Sequence, residues 1–262
     1  MISTRSKSGT TWMQMICALL VFRSPDLPAP LPALSPWLDW LGAPRDEVVA
    51  ELEAQRHRRF IKTHTPLDGI PLDPRATYIV VARHPLDMAV SLFHQSRNLN
   101  RRRMAELTGS PVGEPREAPP LSESLLSWVD REVEPAEEMD SLPGVLWHLS
   151  DAWRRRHDGN VLLVHYADLT ADLAGEMRRI AARLGLDPPT GELVEAATFA
   201  QMRDRARDLA PDPAGILLDR GAFFRRGRSG AARELLTDEQ VAHYQRRAAT
   251  MAPADLLTWL NR

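Results

Sequence analysis

The unbroken apolar run Thr77-Tyr78-Ile79-Val80-Val81-Ala82 leaves this chain little choice of architecture. It lacks the apolar–polar alternation of a half-exposed strand, so both of its faces must be covered, as in the middle of a parallel sheet. Val161-Leu162-Leu163-Val164-His165-Tyr166 reads the same way. A helical pattern follows each run. Pro85 can open a helix whose inner stripe is Leu86, Val90 and Phe93, and a second helix spans about Asp172 to Leu184 before Gly185 stops it. Strands alternating with helices predict an α/β fold of three layers, a central parallel sheet flanked by helices, with its site at the carboxyl edge of the strands.

The start of the chain repeats this unit in miniature. Ile2-Ser3-Thr4 is a short β-prone lead, Ser6-Lys7-Ser8-Gly9-Thr10-Thr11-Trp12 is a small-residue turn, and Met13 to Phe22 is an apolar helix. A strand, a tight turn and a helix point free backbone N–H groups and a positive dipole end at an anion. Lys7 adds a full charge, Ser8, Thr10 and Thr11 add hydroxyls, and Gly9 lets the backbone come close to a phosphate. The pattern is not G-x-x-x-x-G-K-[ST], because Lys7 precedes the glycine. A lead of only about four residues points to a truncated or late-starting chain and to a weakened first strand. The basic, then apolar, start also fits a signal peptide, but Gln14 interrupts the run and no small-x-small cleavage site follows.

At 262 residues the chain is long enough for one domain with a sizeable core. A net charge of −2 argues against a general nucleic-acid binder. The single Cys17 lies in the first apolar helix, reads as a buried small hydrophobe, and places the protein in the reducing cytoplasm. No apolar run reaches the ~18 to 20 residues of a membrane span.

Further along, Ser24 to Pro44 is rich in proline but also carries Leu31, Leu34, Trp37, Leu38, Trp40 and Leu41, too much apolar surface for a disordered linker. It is expected to pack over a pocket. Glu47 to Arg58 has helical spacing, and Arg59 to His64 reads as a strand ending at Pro66. Arg83, at the end of its strand, and Ser91, on the next helix, are placed to hold one phosphate together. Residues 98–143 lack regular patterning beyond a short amphipathic helix around Leu121 to Val129. They read as a flap bordering an acceptor pocket. Val145 to His157 is helical, with His148 in a core or surface position. Helices from Asp238 to Met251 and from Pro253 close the chain.

Several of these stretches together resemble the sulfotransferases that use 3′-phosphoadenosine 5′-phosphosulfate (PAPS). Ser6 to Trp12 is similar to the family's P-K-S-G-T-T-W loop, with Ser6 in place of proline. Lys62-Thr63-His64-Thr65-Pro66 is similar to K-T-H-L-P, and Arg83 to Ser91 to R-N-P-x-D-x-A-V-S, with His84 in place of asparagine. Tyr166-Ala167-Asp168-Leu169 resembles Y-E-D-x. Thr198-Phe199-Ala200-Gln201-Met202 resembles S-F-x-x-M. Phe223 to Gly230 resembles F-x-R-K-G-x-x-G, followed by Ala231-Ala232 where the family carries D-W. The order of the motifs is the family's, and Leu27 to Leu38 and Lys62 to Gly69 look particularly like bacterial enzymes described as acting on glycolipids.

The resemblance implies a P-loop-like fold and transfer of a sulfuryl group from PAPS to a hydroxyl, without a metal. It makes His64 the general base, and gives Lys7 and Lys62 catalytic roles at the transferring group. Ser8, Gly9, Thr10 and Thr11 fall to the 5′ side of the donor and Trp12 to stacking on adenine. Arg83, Ser91, Arg225, Arg226 and Gly227 fall to the 3′-phosphate, and Tyr166, Thr198, Phe199 and Met202 to the adenosine. The loss of D-W puts the rigidity of the last phosphate grip in question. The acceptor is expected to be an apolar, hydroxyl-bearing small molecule or a glycolipid. The oligomeric state is open, because only Arg233 and Thr237 keep register with the family's dimer element. Two alternatives stand beside this reading: a kinase with an atypical phosphate loop, and a nucleotide-binding protein without turnover.

Overall fold

The computed structural model describes residues 1–109, 111, 119–212 and 214–262. Part of the expected flap, Ser110 and residues 112–118, lies outside the described residues. Four parallel strands form the central sheet: β1 (Ile2–Thr4), β2 (Lys62–Thr63), β3 (Tyr78–Ala82) and β4 (Val161–His165), in the order β2-β1-β3-β4. Chain order sets the helices as α1 (Thr10–Phe22), α2 (Leu31–Leu34), α3 (Arg45–Ala54), α4 (Pro85–Arg97), α5 (Arg101–Thr108), α6 (Leu121–Asp130) and α7 (Leu142–Arg154). After β4 come α8 (Tyr166–Ala171), α9 (Leu173–Leu184), α10 (Gly191–Ala196), α11 (Phe199–Asp204), α12 (Ala206–Leu209), α13 (Arg220–Phe223), α14 (Asp238–Ala249) and α15 (Ala254–Leu260).

The two apolar runs become β3 and β4, paired in register from Tyr78↔Val161 to Ala82↔His165. Because side chains alternate across a strand, one run supplies two cores. Ile79, Val81, Leu162 and Val164 face a layer holding α1 and α9, while Tyr78, Val80, Ala82 and Val161 face a layer holding α4, α7, α14 and α15. Phe93, expected on the inner stripe of α4, is only half-buried.

The short first strand is internal and paired on both sides. Ile2 aligns with Lys62 on one flank and with Ile79 on the other, and the Met1 ammonium donates to the Thr77 carbonyl at 2.8 Å. All of β1 is buried. The expected strand from Arg59 to His64 shrinks to Lys62–Thr63, because β1 offers it only three residues to pair with. On its outer side Lys62 bridges to Trp37, so the proline-rich segment covers that edge.

Local chemistry sets the helix ends. Asp172 caps α9 and Gly185 closes it at φ 63°. His84 caps α4, since its Nδ1 accepts from the Leu86 N–H at 3.3 Å. Burial pushes the His84 imidazole down to about 4, which keeps that lone pair free. Thr237 and Gln240 form a capping box on α14.

Candidate active site

Each strand ends in a residue of interest. Lys7 follows β1, His64 follows β2, Arg83 follows β3 and Tyr166 follows β4, so a single sheet edge gathers residues far apart in sequence. They line one cavity of about 430 Å³, together with Gly9, Thr10, Thr11, Trp12, Lys62, Ser91, Phe199, Met202, Arg225, Arg226 and Gly227. Ser8 and Thr198, also expected there, do not line it. Ser8 is buried, and Thr198 caps α11 through its hydroxyl to the Gln201 N–H.

The loop after β1 turns sharply. Lys7 sits at φ 62° and Gly9 at φ 107°, both left-handed. A lysine held in that region costs of order 1 kcal/mol or more, and such strain collects where a protein shapes a site. At Gly9 a Cβ would come within 3.0 Å of the Tyr166 ring, so the position needs glycine twice over. No side chain caps α1, so its first N–H groups are left without a side-chain partner where Gly9, Thr10 and Thr11 line the cavity. Thr10 is fixed by a hydrogen bond between its hydroxyl and that of Thr4.

Cations crowd this cavity. Lys7 Nζ donates to Gln95 Oε1 at 3.2 Å and lies 3.7 Å above the Phe223 ring, while Lys62 Nζ lies 3.6 Å above Trp37. Burial, followed by the nearby Arg83, Lys62 and Arg225 charges, lowers Lys7 to about 7. Burial likewise lowers Lys62 to about 7, against the partial help of Asp39. Arg83 packs across the Tyr166 ring at 4.4 Å and donates to the Lys7 and Arg228 carbonyls, but its buried Nε has no partner among the described residues. It makes no ion pair with Asp87. That carboxylate instead accepts from the Gly230 and Ala232 N–H groups at 2.6 and 3.0 Å. Asp87 thereby ties down the segment whose rigidity the missing D-W put in question. Nearby, Gly227 at φ 63° presses on Phe199 so closely that a Cβ would sit 2.2 Å from the ring. Arg226 is paired to Glu234 at 2.8 Å.

His64 is held from every side. Its Nδ1 lies 2.5 Å from the Thr4 carbonyl, which can only accept, so Nδ1 carries the hydrogen and Nε2 the lone pair. Trp37 meets the ring edge-on at 4.7 Å. Burial and the Lys62 charge hold the imidazole well below its ordinary value, so it is neutral at pH 7. Asp39 clamps the strand end, accepting from the His64 N–H at 3.0 Å and from the Thr63 and Thr65 hydroxyls at 2.9 and 2.7 Å. Behind it, buried Arg5 donates to the His64 carbonyl and to Asp140. Sequence reading missed Asp39, Gln95, Arg5 and Asp140. It placed His148 in a core or surface role, and the structure buries that residue away from the cavity.

The rest of the lining mixes apolar groups, among them Trp37, Trp40, Leu92, Leu99, Met104 and Ile216, with the polar Ser6, Gln95, Ser96 and Asp140. Among the described residues no group of His, Cys, Asp or Glu is placed to hold a metal ion, and no helix is long and apolar enough to cross a membrane.

Comparison with known proteins shows the family and the fold. The glycolipid sulfotransferases of Mycobacterium bovis and Mycobacterium tuberculosis are 43% and 44% identical to the chain, each over 99% of it and 86% of their own length. A crystal structure of mouse sulfotransferase SULT7A1 complexed with PAP superposes with a TM-score of 0.69 at 22% identity, covering 99% of this chain and 85% of that one. The family model for the sulfotransferase domain matches residues 1–251, so the chain belongs to the sulfotransferase family.

Proposed function

We propose that the donor is PAPS and that His64 Nε2 takes the proton from an acceptor hydroxyl of a glycolipid. The observation that carries this is the convergence of Lys7, Lys62 and Arg83 with a neutral, tautomer-fixed His64 on one cavity. The residues fit such a donor. An uncapped helix start and Lys7 suit its 5′ side, and Arg83, with a buried donor to spare, suits its 3′-phosphate, beside Ser91 and Arg225. Trp12, Tyr166, Phe199 and Met202 offer the aromatic and apolar walls an adenine needs. PAPS supplies an activated sulfuryl group, and a hydroxyl with a pKa far above 7 must lose its proton to attack it. His64 holds a lone pair for that proton. Lys7 and the loop N–H groups stabilise negative charge gathering on the departing oxygen. The apolar part of the lining suits a lipid tail, in keeping with the relatives' names. A cytoplasmic setting is part of this reading, supported by the single cysteine, Cys17, which is buried and whose thiol burial pushes up to about 12.

Binding of 3′-phosphoadenosine 5′-phosphate (PAP), the desulfated donor, tests this reading by thermal shift. At a hundredfold excess over its Kd, PAP adds about 2.7 kcal/mol of stability, which is roughly 5–10 °C for a chain of this size. ATP lacks the 3′-phosphate and is expected to give under about 2 °C at equal concentration. An anion bound beside Lys7 and Lys62 raises both pKa values again. Binding therefore takes up protons above pH 7, and affinity weakens as pH rises through about 7. Stronger stabilisation by ATP than by PAP would overturn the reading in favour of a kinase.

A further inference from the structure

The acceptor wall of the cavity contains a carboxylate that the reaction itself does not require. Asp140 lines the cavity with Ser6, Lys7 and His64, at the end of the segment that follows α6. One of its oxygens is fully engaged: Oδ1 accepts from Arg5 Nη2 at 2.9 Å and from the Ser6 N–H at 3.2 Å. Trp128 donates to its backbone carbonyl at 2.9 Å, which fixes the main chain. The other oxygen, Oδ2, has no partner among the described residues, and the side chain keeps 39% of its exposure.

An unneutralised carboxylate would repel an anionic donor at this place. Arg5, with only 5% of its side chain exposed, supplies the compensating charge. The same guanidinium donates to the His64 carbonyl, so the free oxygen and the imidazole are held in one rigid unit. Trp37 and Trp40 line the same cavity and bring no carboxylate of their own. A fixed acceptor oxygen there has one evident use, which is to receive a donor from the bound molecule.

We propose that Asp140 selects a polyol: while one hydroxyl of a sugar headgroup faces His64, a neighbouring hydroxyl donates to Asp140 Oδ2. This rests on the sulfotransfer reading above and narrows its acceptor. A hydroxyl–carboxylate hydrogen bond is charge-assisted and strong enough to set specificity. An alcohol with a lone hydroxyl cannot make it and leaves Oδ2 without a donor from the ligand.

The test compares octyl glucoside with 1-octanol, which share a tail but differ in the head, on the wild-type protein and on Asp140→Asn. The amide keeps an oxygen for Arg5 but presents NH₂ in place of the free oxygen. The wild type is expected to prefer octyl glucoside. The variant is expected to lose about tenfold or more in kcat/KM for octyl glucoside relative to 1-octanol, mainly through KM, with the PAP thermal shift within twofold of wild type. Equal losses for both alcohols would make Asp140 a support for the loop and overturn the assignment, as would no loss at all. Titration of each alcohol into the PAP complex reads the same preference without turnover, and equal affinities of the wild type for the two would also overturn it. Failure of PAP to bind would instead remove the sulfotransfer reading beneath it.

Discussion

Replacing His64 with alanine is expected to cut turnover by about a hundredfold to ten-thousandfold, the range for loss of a positioned general base. The expectation is sharp because the imidazole has one arrangement open to it. Its Nδ1 hydrogen is committed to Thr4, the ring is wedged against Trp37, and Asp39 and Arg5 hold the backbone on either side. Only Nε2 is left to meet a substrate. None of these contacts involves Arg83 or Tyr166, so PAP should stabilise the variant as it does the wild type. The pH profile gives a second readout. Since burial and Lys62 hold His64 well below its ordinary value, kcat/KM of the wild type should show no acid limb at 6.5 and should fall only at lower pH. Normal turnover by the alanine variant would place the base elsewhere.

Arg83→Ala is expected to act on the donor instead. Two carbonyls and the Tyr166 ring fix the guanidinium, which leaves its Nε to an incoming anion. Charge-assisted hydrogen bonds contribute about 1.5–3 kcal/mol each, so the KM for PAPS should rise roughly 10- to 150-fold while kcat changes little. Arg83→Lys keeps the charge but not the fork that reaches Lys7, Arg228 and the ligand at once, and should recover only part of the loss. An unchanged KM for PAPS in the alanine variant would remove Arg83 from the donor site.

The parts of this site that could be read from the sequence are those whose chemistry is local. Lys7, Gly9 and Thr10 form one turn between a strand and a helix, and Arg83 ends a run that could only be a buried strand. The parts that could not be read are held by long-range contacts. Asp39 sits in a proline-rich segment and looks solvated until Thr63, which lies 24 residues away, comes alongside. Asp87 reads as a partner for Arg83 four residues back, yet it caps backbone groups 143 and 145 residues distant. Arg5 and Asp140 are separated by 135 residues, and neither has a periodic pattern to mark it. The strand lengths failed for a related reason. Propensity favours extended backbone from Arg59 onward, but a strand can be only as long as the neighbour that pairs with it, and β1 offers three residues.

The central claim is that this cavity passes a sulfuryl group from a doubly phosphorylated adenosine to a lipid hydroxyl beside His64. Incubating the protein with radiolabelled PAPS and a sugar-headed lipid tests it most directly. The account predicts label in the lipid fraction with wild type, and almost none with His64→Ala at equal PAP affinity. Label that stays on the nucleotide with the wild type, although PAP binds, would contradict it.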